Sequence, residues 1–188
     1  MKALLIVDLQ NDFCPGGAVP VPYADEVVPV VNNLMDHFPF VIASRDWHPV
    51  ESVHFDNWAP HCINGTEGAE YHSALLADKI NLELFKGTEN KDDGYSVFEA
   101  TNCDFAKELE QEKVDELYIT GIATESCVKQ SVLDALNKGF KTYVIKDAVR
   151  SHEKRVGDGD SALKEMEKAG ATVLDADAAA DKFGYSKS

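Results

Sequence analysis

Apolar residues fall along this chain in short unbroken runs, separated by stretches with helical spacing. The runs are Ala3 to Val7, Phe40 to Ala43, Leu82 to Phe85, Leu117 to Ile119, Thr142 to Ile145 and Ala171 to Leu174. A run without polar alternation suits a strand covered on both faces, as in a parallel sheet. Between several of them, roughly over Asp25 to His37, Asp104 to Lys113, Thr124 to Lys138 and Asp160 to Ala169, apolar positions recur at helical spacing. Pro29 sits inside the first of these stretches and marks a kink or a late start. Gly139 follows the third as a C-cap. Strands alternating with helices predict an α/β fold, a doubly wound sheet with helices between its strands. No repeat or low-complexity linker divides residues 1–188, which read as one domain, with 181–188 a loosely held tail.

In open α/β sheets ligands bind outside the carboxyl ends of the strands. The residues that follow the apolar runs are therefore the ones to inspect. They are Asp8, then Arg45-Asp46-Trp47-His48, then Lys86, then the turn from Thr120 to Val128. Within that turn Thr124 reads as an N-cap, which puts Cys127 in the first helical turn. Unpaired N–H groups and the positive end of the helix dipole would there lower a thiol pKa from its usual value of about 8.5. The same N–H groups could hold a developing oxyanion. The alternative is a small, inert core cysteine. Asp8 could relay the thiol proton and Lys86 could balance the anions; singly, each also reads as an ordinary turn acid or loop cation.

The segment from Asp46 to His61 carries three of the six histidines. Asp46 and His48 fall on one side of an extended chain, and His54 and His61 could complete a divalent site. Imidazole with carboxylate suits Zn²⁺, Fe²⁺ or Mn²⁺. His37, His72 and His152 read as surface or structural. The Pro- and Gly-rich loop from Phe13 to Pro22 is irregular, and Phe13, Trp58 and Tyr95 are candidate pocket walls.

Charge and cysteine usage narrow the setting. A formal net charge of −15 argues against nucleic acid or an anionic membrane as partner. No apolar stretch is long enough to span a bilayer, and the N-terminus lacks a signal-peptide pattern. Four scattered cysteines do not make a disulfide framework in a chain of 188 residues. The expectation is a reduced, cytoplasmic protein.

An ordered set of motifs carries a resemblance. Asp8-Leu9-Gln10-Asn11-Asp12-Phe13-Cys14-x-Gly16-Gly17, Arg45-Asp46-Trp47-His48-Pro49, Trp58-Ala59-Pro60-His61-Cys62, Phe85-Lys86-Gly87 and Gly121-Ile122-Ala123-Thr124-x-x-Cys127-Val128 resemble the isochorismatase-like cysteine hydrolase superfamily, in its bacterial nicotinamidase (pyrazinamidase) branch. The resemblance implies six parallel strands with helices on both faces and a catalytic triad of Asp8, Lys86 and Cys127. It implies a cis peptide at Ile122-Ala123 and oxyanion-hole N–H groups from Ala123 and Cys127. Asp46, His48 and His61 would bind the metal, zinc first, with iron or manganese as alternatives; His54 is the position that varies. The expected substrates are nicotinamide and pyrazinamide-like amides, bound by Phe13, Trp58 and Tyr95. Three alternatives stay open: a sibling hydrolase of another small amide or carbamoyl compound, a non-haem iron oxygenase, and a thiol redox or metal-binding protein. Oligomeric state is not legible.

Overall fold

The structure, a computed structural model, describes residues 1–182. All six apolar runs form strands: β1 (Lys2–Val7), β2 (Val41–Asp46), β3 (Leu82–Lys86), β4 (Glu116–Ile122), β5 (Lys141–Arg150) and β6 (Thr172–Leu174). They make one sheet in the order β3-β2-β1-β4-β5-β6, every pair parallel. The apolar runs underestimate several carboxyl ends. Asp46 and Lys86 are the last residues of β2 and β3, and polar side chains end an apolar run before the strand itself ends.

The unbroken character of the runs follows from burial on both sides. In β1, Leu4 and Ile6 join one cluster with α1 (Val27–Met35) and α5 (Ala176–Asp181). Ala3, Leu5 and Val7 point the other way, toward α2 (Phe105–Gln111), α3 (Lys129–Asn137) and α4 (Asp158–Ala169). Each fully buried Leu, Ile or Val contributes about 1.5–3 kcal/mol, so a polar residue at any of these positions would be costly.

Helix starts differ in detail from expectation. The first helix begins late, at Val27 after a 3₁₀ turn at Ala24–Glu26, and Pro29 lies in its first turn, where no N–H partner is needed. Thr124 gives no side-chain cap. Thr124–Val128 form a wide turn in which Ser126 is non-helical (φ −121°, ψ −106°), and regular α3 starts only at Lys129. The short alanine-rich α5 had no predicted counterpart. The expected tail lies, from residue 183 on, outside the described residues. Asp181 instead closes α5, and Lys182 holds its Nζ 4.2 Å from the Tyr143 ring centroid.

The order of strands places the site. From β1 the chain moves outward through β2 to β3, then returns to the other side of β1 and moves outward through β5 and β6. The reversal between β1 and β4 leaves a crevice at their carboxyl ends, bounded by Asp8 on one strand and the Cys127 turn on the other. Gly121 lets these two strands approach: its φ is +110°, and a Cβ there would sit 2.0 Å from the Val7 carbonyl oxygen.

Candidate active site

Strand register brings the first group of side chains together. Asp46 pairs directly with Lys86 across β2 and β3, while Asp8 follows β1 in a left-handed conformation (φ 49°). Lys86 Nζ lies 2.7 Å from Asp8 Oδ2, donates to Asp46 Oδ1 and to the Gly94 carbonyl (2.6 Å), and stands 3.6 Å from Cys127 Sγ. Ser44 Oγ donates to Asp8 Oδ1 at 2.7 Å. Gly94 can deliver its carbonyl because it has no side chain: with φ +83°, a Cβ there would lie 2.5 Å from the Gly87 nitrogen. Asp8 and Lys86 are wholly buried, and Asp46 and Cys127 nearly so.

Burial sets the proton inventory. It opposes the Lys86 charge, but Asp46 and Asp8 outweigh it and hold the ammonium well above its ordinary range. Burial also pushes the Asp46 carboxyl up, yet Lys86 and His48 together bring it below the usual carboxylate range. Asp8 is pushed up to about 6, burial exceeding the pull of Lys86. The Cys127 thiol is raised well above normal, first by burial, against Lys86 and with the Asp8 and Asp46 carboxylates adding to the rise. The thiol lowered by a helix N-terminus, expected from the sequence, is therefore corrected. The turn is not regular helix, and desolvation dominates. A protonated thiol needs a base, and oxygens of Asp8 and Asp46 lie with Sγ in one cluster whose atoms are all within 4.8 Å of one another.

Three imidazoles form the second group. One ring nitrogen each from His48, His54 and His61 falls within 4.8 Å of the others. The opposite nitrogen of each ring is engaged: His48 Nδ1–H donates to the Gly87 carbonyl (2.9 Å), His61 Nδ1–H to the Ala59 carbonyl (2.7 Å) and His54 Nδ1–H to Asp92 Oδ1 (2.8 Å). These bonds fix tautomers that leave each Nε2 lone pair free. His48 Nε2 is buried without a hydrogen-bond partner among the described residues. Asp46 Oδ2 lies 3.6 Å from it and 3.9 Å from His61 Nε2. Ligand atoms that share an ion at zinc–nitrogen and zinc–oxygen distances stand about 3–4 Å apart, so this donor set fits a divalent cation. Burial holds the His54 and His61 imidazoles below their usual range, hence neutral and able to ligate.

Between the two groups lies a small pocket. The thiol, Ala123 and Ser126 line one side, His54 and His61 another, and Phe13, Trp58 and Tyr95 supply aromatic walls. The Phe13 ring is 5.3 Å from that of His61, and Trp58 Nε1–H donates to Tyr95 Oη at 3.3 Å. The Ile122-Ala123 peptide is cis. The site residues expected from the sequence line this pocket, except Asp8, Lys86 and His48, which are buried against its lining residues.

Two residues were missed. His152, read as surface or structural, lines the pocket with its ring 5.8 Å from Trp58. No local pattern could have shown it, because its place depends on how the segment after β5 crosses the crevice. Gln10 is fully buried, exchanges bonds with the Asp46 backbone (Oε1 from N–H, Nε2 to carbonyl, both 2.8 Å) and so fixes the end of β2. Its neighbours Leu9 and Asn11 gave no reason to single it out.

A parallel sheet with a buried acid–ammonium–thiol cluster and an adjoining histidine set at its switch point gives the chain the build of an α/β enzyme. Residues 2–178 match the isochorismatase domain, and the chain belongs to that family. It is 38% identical to the nicotinamidase of Escherichia coli K12, over 92% of this chain and 93% of the relative. Among solved structures it is similar to the pyrazinamidase of Pyrococcus horikoshii in complex with zinc (TM-score 0.84, 40% identity, 93% of this chain and 98% of the other). It is also similar to PnC1 of L. infantum in complex with nicotinate (TM-score 0.88, 28% identity, 95% and 94%). No helix among the described residues is long and apolar enough to cross a membrane.

Proposed function

We propose that this protein is a metal-dependent nicotinamidase that hydrolyses nicotinamide to nicotinate and ammonia through a thioester on Cys127. The observation that carries this reading is the approach of Lys86 Nζ to both Cys127 Sγ (3.6 Å) and Asp8 (2.7 Å) on one side of a pocket whose facing side holds free imidazole lone pairs. The relatives are named for this activity, and two of their structures contain zinc or nicotinate.

Asp46, His48 and His61 would hold the ion, with His54 as a fourth donor; zinc is the first choice. A cation held there would supply a Lewis acid to orient the substrate ring. Phe13, Trp58 and Tyr95 clasp the ring and present its amide to the thiol. Asp8 takes the thiol proton as sulfur bonds to the amide carbon. The backbone N–H groups of Ala123 and Cys127 receive the oxyanion, and losing one such donor typically costs about 3 kcal/mol of barrier. Asp8 gives the proton to the departing nitrogen, ammonia leaves, and a thioester remains. Asp8 then deprotonates water, which adds to the thioester carbon; collapse of the adduct breaks the C–S bond, releasing nicotinate and restoring the thiol. Lys86 stays protonated throughout and keeps two carboxylates ionisable in a desolvated site.

The sibling-hydrolase alternative differs only in substrate, and a redox or storage role leaves the Asp8–Lys86 arrangement without use. Ammonia release is the test, from nicotinamide and from an aliphatic amide, with and without a chelator. Release from nicotinamide alone, abolished by chelator and restored by zinc, is expected. Equal turnover of the aliphatic amide, or indifference to chelator, would overturn the assignment.

A further inference from the structure

The three imidazoles are not held alike. His48 and His61 give their Nδ1–H to backbone carbonyls, whereas His54 gives its own to a carboxylate, Asp92 Oδ1. His54 sits on a 3₁₀ turn at Val53–Asp56 whose Val53 is 43% exposed. What fixes that turn is the loop after β3. Asn90 Oδ1 accepts from the Val53 N–H (2.8 Å), and Asp92 Oδ2 accepts from Asn57 Nδ2 (3.0 Å). Asp92 Oδ1 receives a second donor, Tyr95 Oη–H at 3.0 Å, and Tyr95 Oη in turn accepts from Trp58 Nε1–H. One carboxylate therefore joins an imidazole of the histidine set to the two aromatic side chains of the pocket wall.

We propose that Asp92 is a positioning residue that locks His54 in its cation-binding tautomer and, through Tyr95, fixes Trp58, so that metal affinity and aromatic-amide binding depend on the same side chain. The metal half rests on the histidine geometry, and the aromatic half rests on the nicotinamidase reading. An imidazole whose Nδ1–H meets a carboxylate is a stronger and better oriented ligand than one left to water, and losing such a partner costs 10- to 100-fold in metal affinity in typical sites. Asp92 is 42% exposed, so its removal opens no cavity and leaves no buried charge unpaired.

The test begins with metal-free protein and zinc titrated against a chromophoric chelator. Asp92→Ala should bind zinc about 10- to 100-fold more weakly than wild type. Asp92→Asn, which keeps an acceptor oxygen, should recover part of the loss, and the metal-free Asp92→Ala protein should remain folded, with its melting temperature lowered by about 2–12 °C for the unpaired His54 Nδ1–H. At saturating zinc, Asp92→Ala should raise KM for nicotinamide while leaving kcat within about threefold, as expected when ground-state and transition-state binding are lost equally. Zinc affinity within about twofold of wild type would overturn the metal half, and an unchanged KM would overturn the aromatic half. The zinc titration uses no amide substrate. A wild type that binds zinc yet releases no ammonia from nicotinamide would therefore end the activity reading while leaving the role of Asp92 at His54 decided on its own evidence.

Discussion

Replacing Lys86 by Met is the most informative single perturbation of this molecule. The side chain has no solvent exposure and contacts two buried carboxylates, so Lys86→Met removes the one cation and leaves Asp8 and Asp46 facing each other. Removing one partner of a buried ion pair costs about 3–5 kcal/mol. In a chain of this size 1 kcal/mol moves Tm by about 2–4 °C, so a fall of roughly 6–20 °C is expected for the metal-free protein at pH 7. The loss should depend on pH with a definite sign. Without Lys86 both carboxyls are raised by burial and by each other, and the folded state then binds more protons than the unfolded one above about pH 4. Stability of the variant should therefore rise as pH falls from 7 to 5, narrowing its gap to wild type. The wild-type ammonium, raised well above its usual value, stays charged across this window and contributes no slope; wild-type Asp8, already raised to about 6, contributes a slope of the same sign, so the gap closes by the further rise of both carboxyls in the variant. Neutralising the whole cluster, with Asp8→Asn and Asp46→Asn added, should restore much of the loss. Scanning calorimetry at the two pH values, after dialysis against chelator, makes the measurement. A shift under about 2 °C at pH 7, or a gap that does not close at pH 5, would refute the picture of Lys86 as the ion balancing two anions.

Cys127→Ala should abolish ammonia release while zinc content, measured by atomic absorption, stays at the wild-type level. The acid limb of kcat/KM should fall below about pH 6, where Asp8 becomes protonated and cannot accept the thiol proton. The same raised carboxyl gives folding a contribution that is complete below the unfolded value of 3.8 and lost as pH rises through about 6. Ser44→Ala removes the 2.7 Å hydrogen bond that favours the Asp8 anion and should move the acid limb to higher pH in the same assay. His61→Ala should lower bound zinc and raise KM more than it lowers kcat, by steady-state kinetics at fixed zinc.

The fold was legible because a two-sided parallel sheet leaves an unmistakable mark: buried on both faces, each strand is apolar without alternation. Asp8, Asp46, Lys86 and Cys127 were legible for a related reason, since a polar or reactive residue directly after such a run stands at the edge where ligands bind. What stayed hidden depends on packing between distant segments. His152 reaches the pocket only because the chain after β5 crosses over Trp58, and Gln10 matters only because Asp46 lies beside it. The α5 helix, Ala-Asp-Ala-Ala-Ala-Asp, offers methyl groups in place of a bulky apolar stripe. The direction of the Cys127 shift also eluded local reasoning. A cap argument counts dipoles along the chain and misses the two carboxylates and the desolvation contributed by other strands.

Gly94 also limits how this loop can diverge. Its carbonyl rests on the Lys86 ammonium and its bare α-carbon lies against Gly87, so the two ends of the connection are clamped within a few residues of each other. Additions or deletions in descendants of this gene should therefore be confined to the partly exposed stretch before Asn90, at Thr88 and Glu89, because Asn90 itself holds the Val53 N–H. Changes of length between Asp92 and Tyr95 should be selected against, because shifting the frame there would displace the lysine acceptor and the aromatic wall in one stroke.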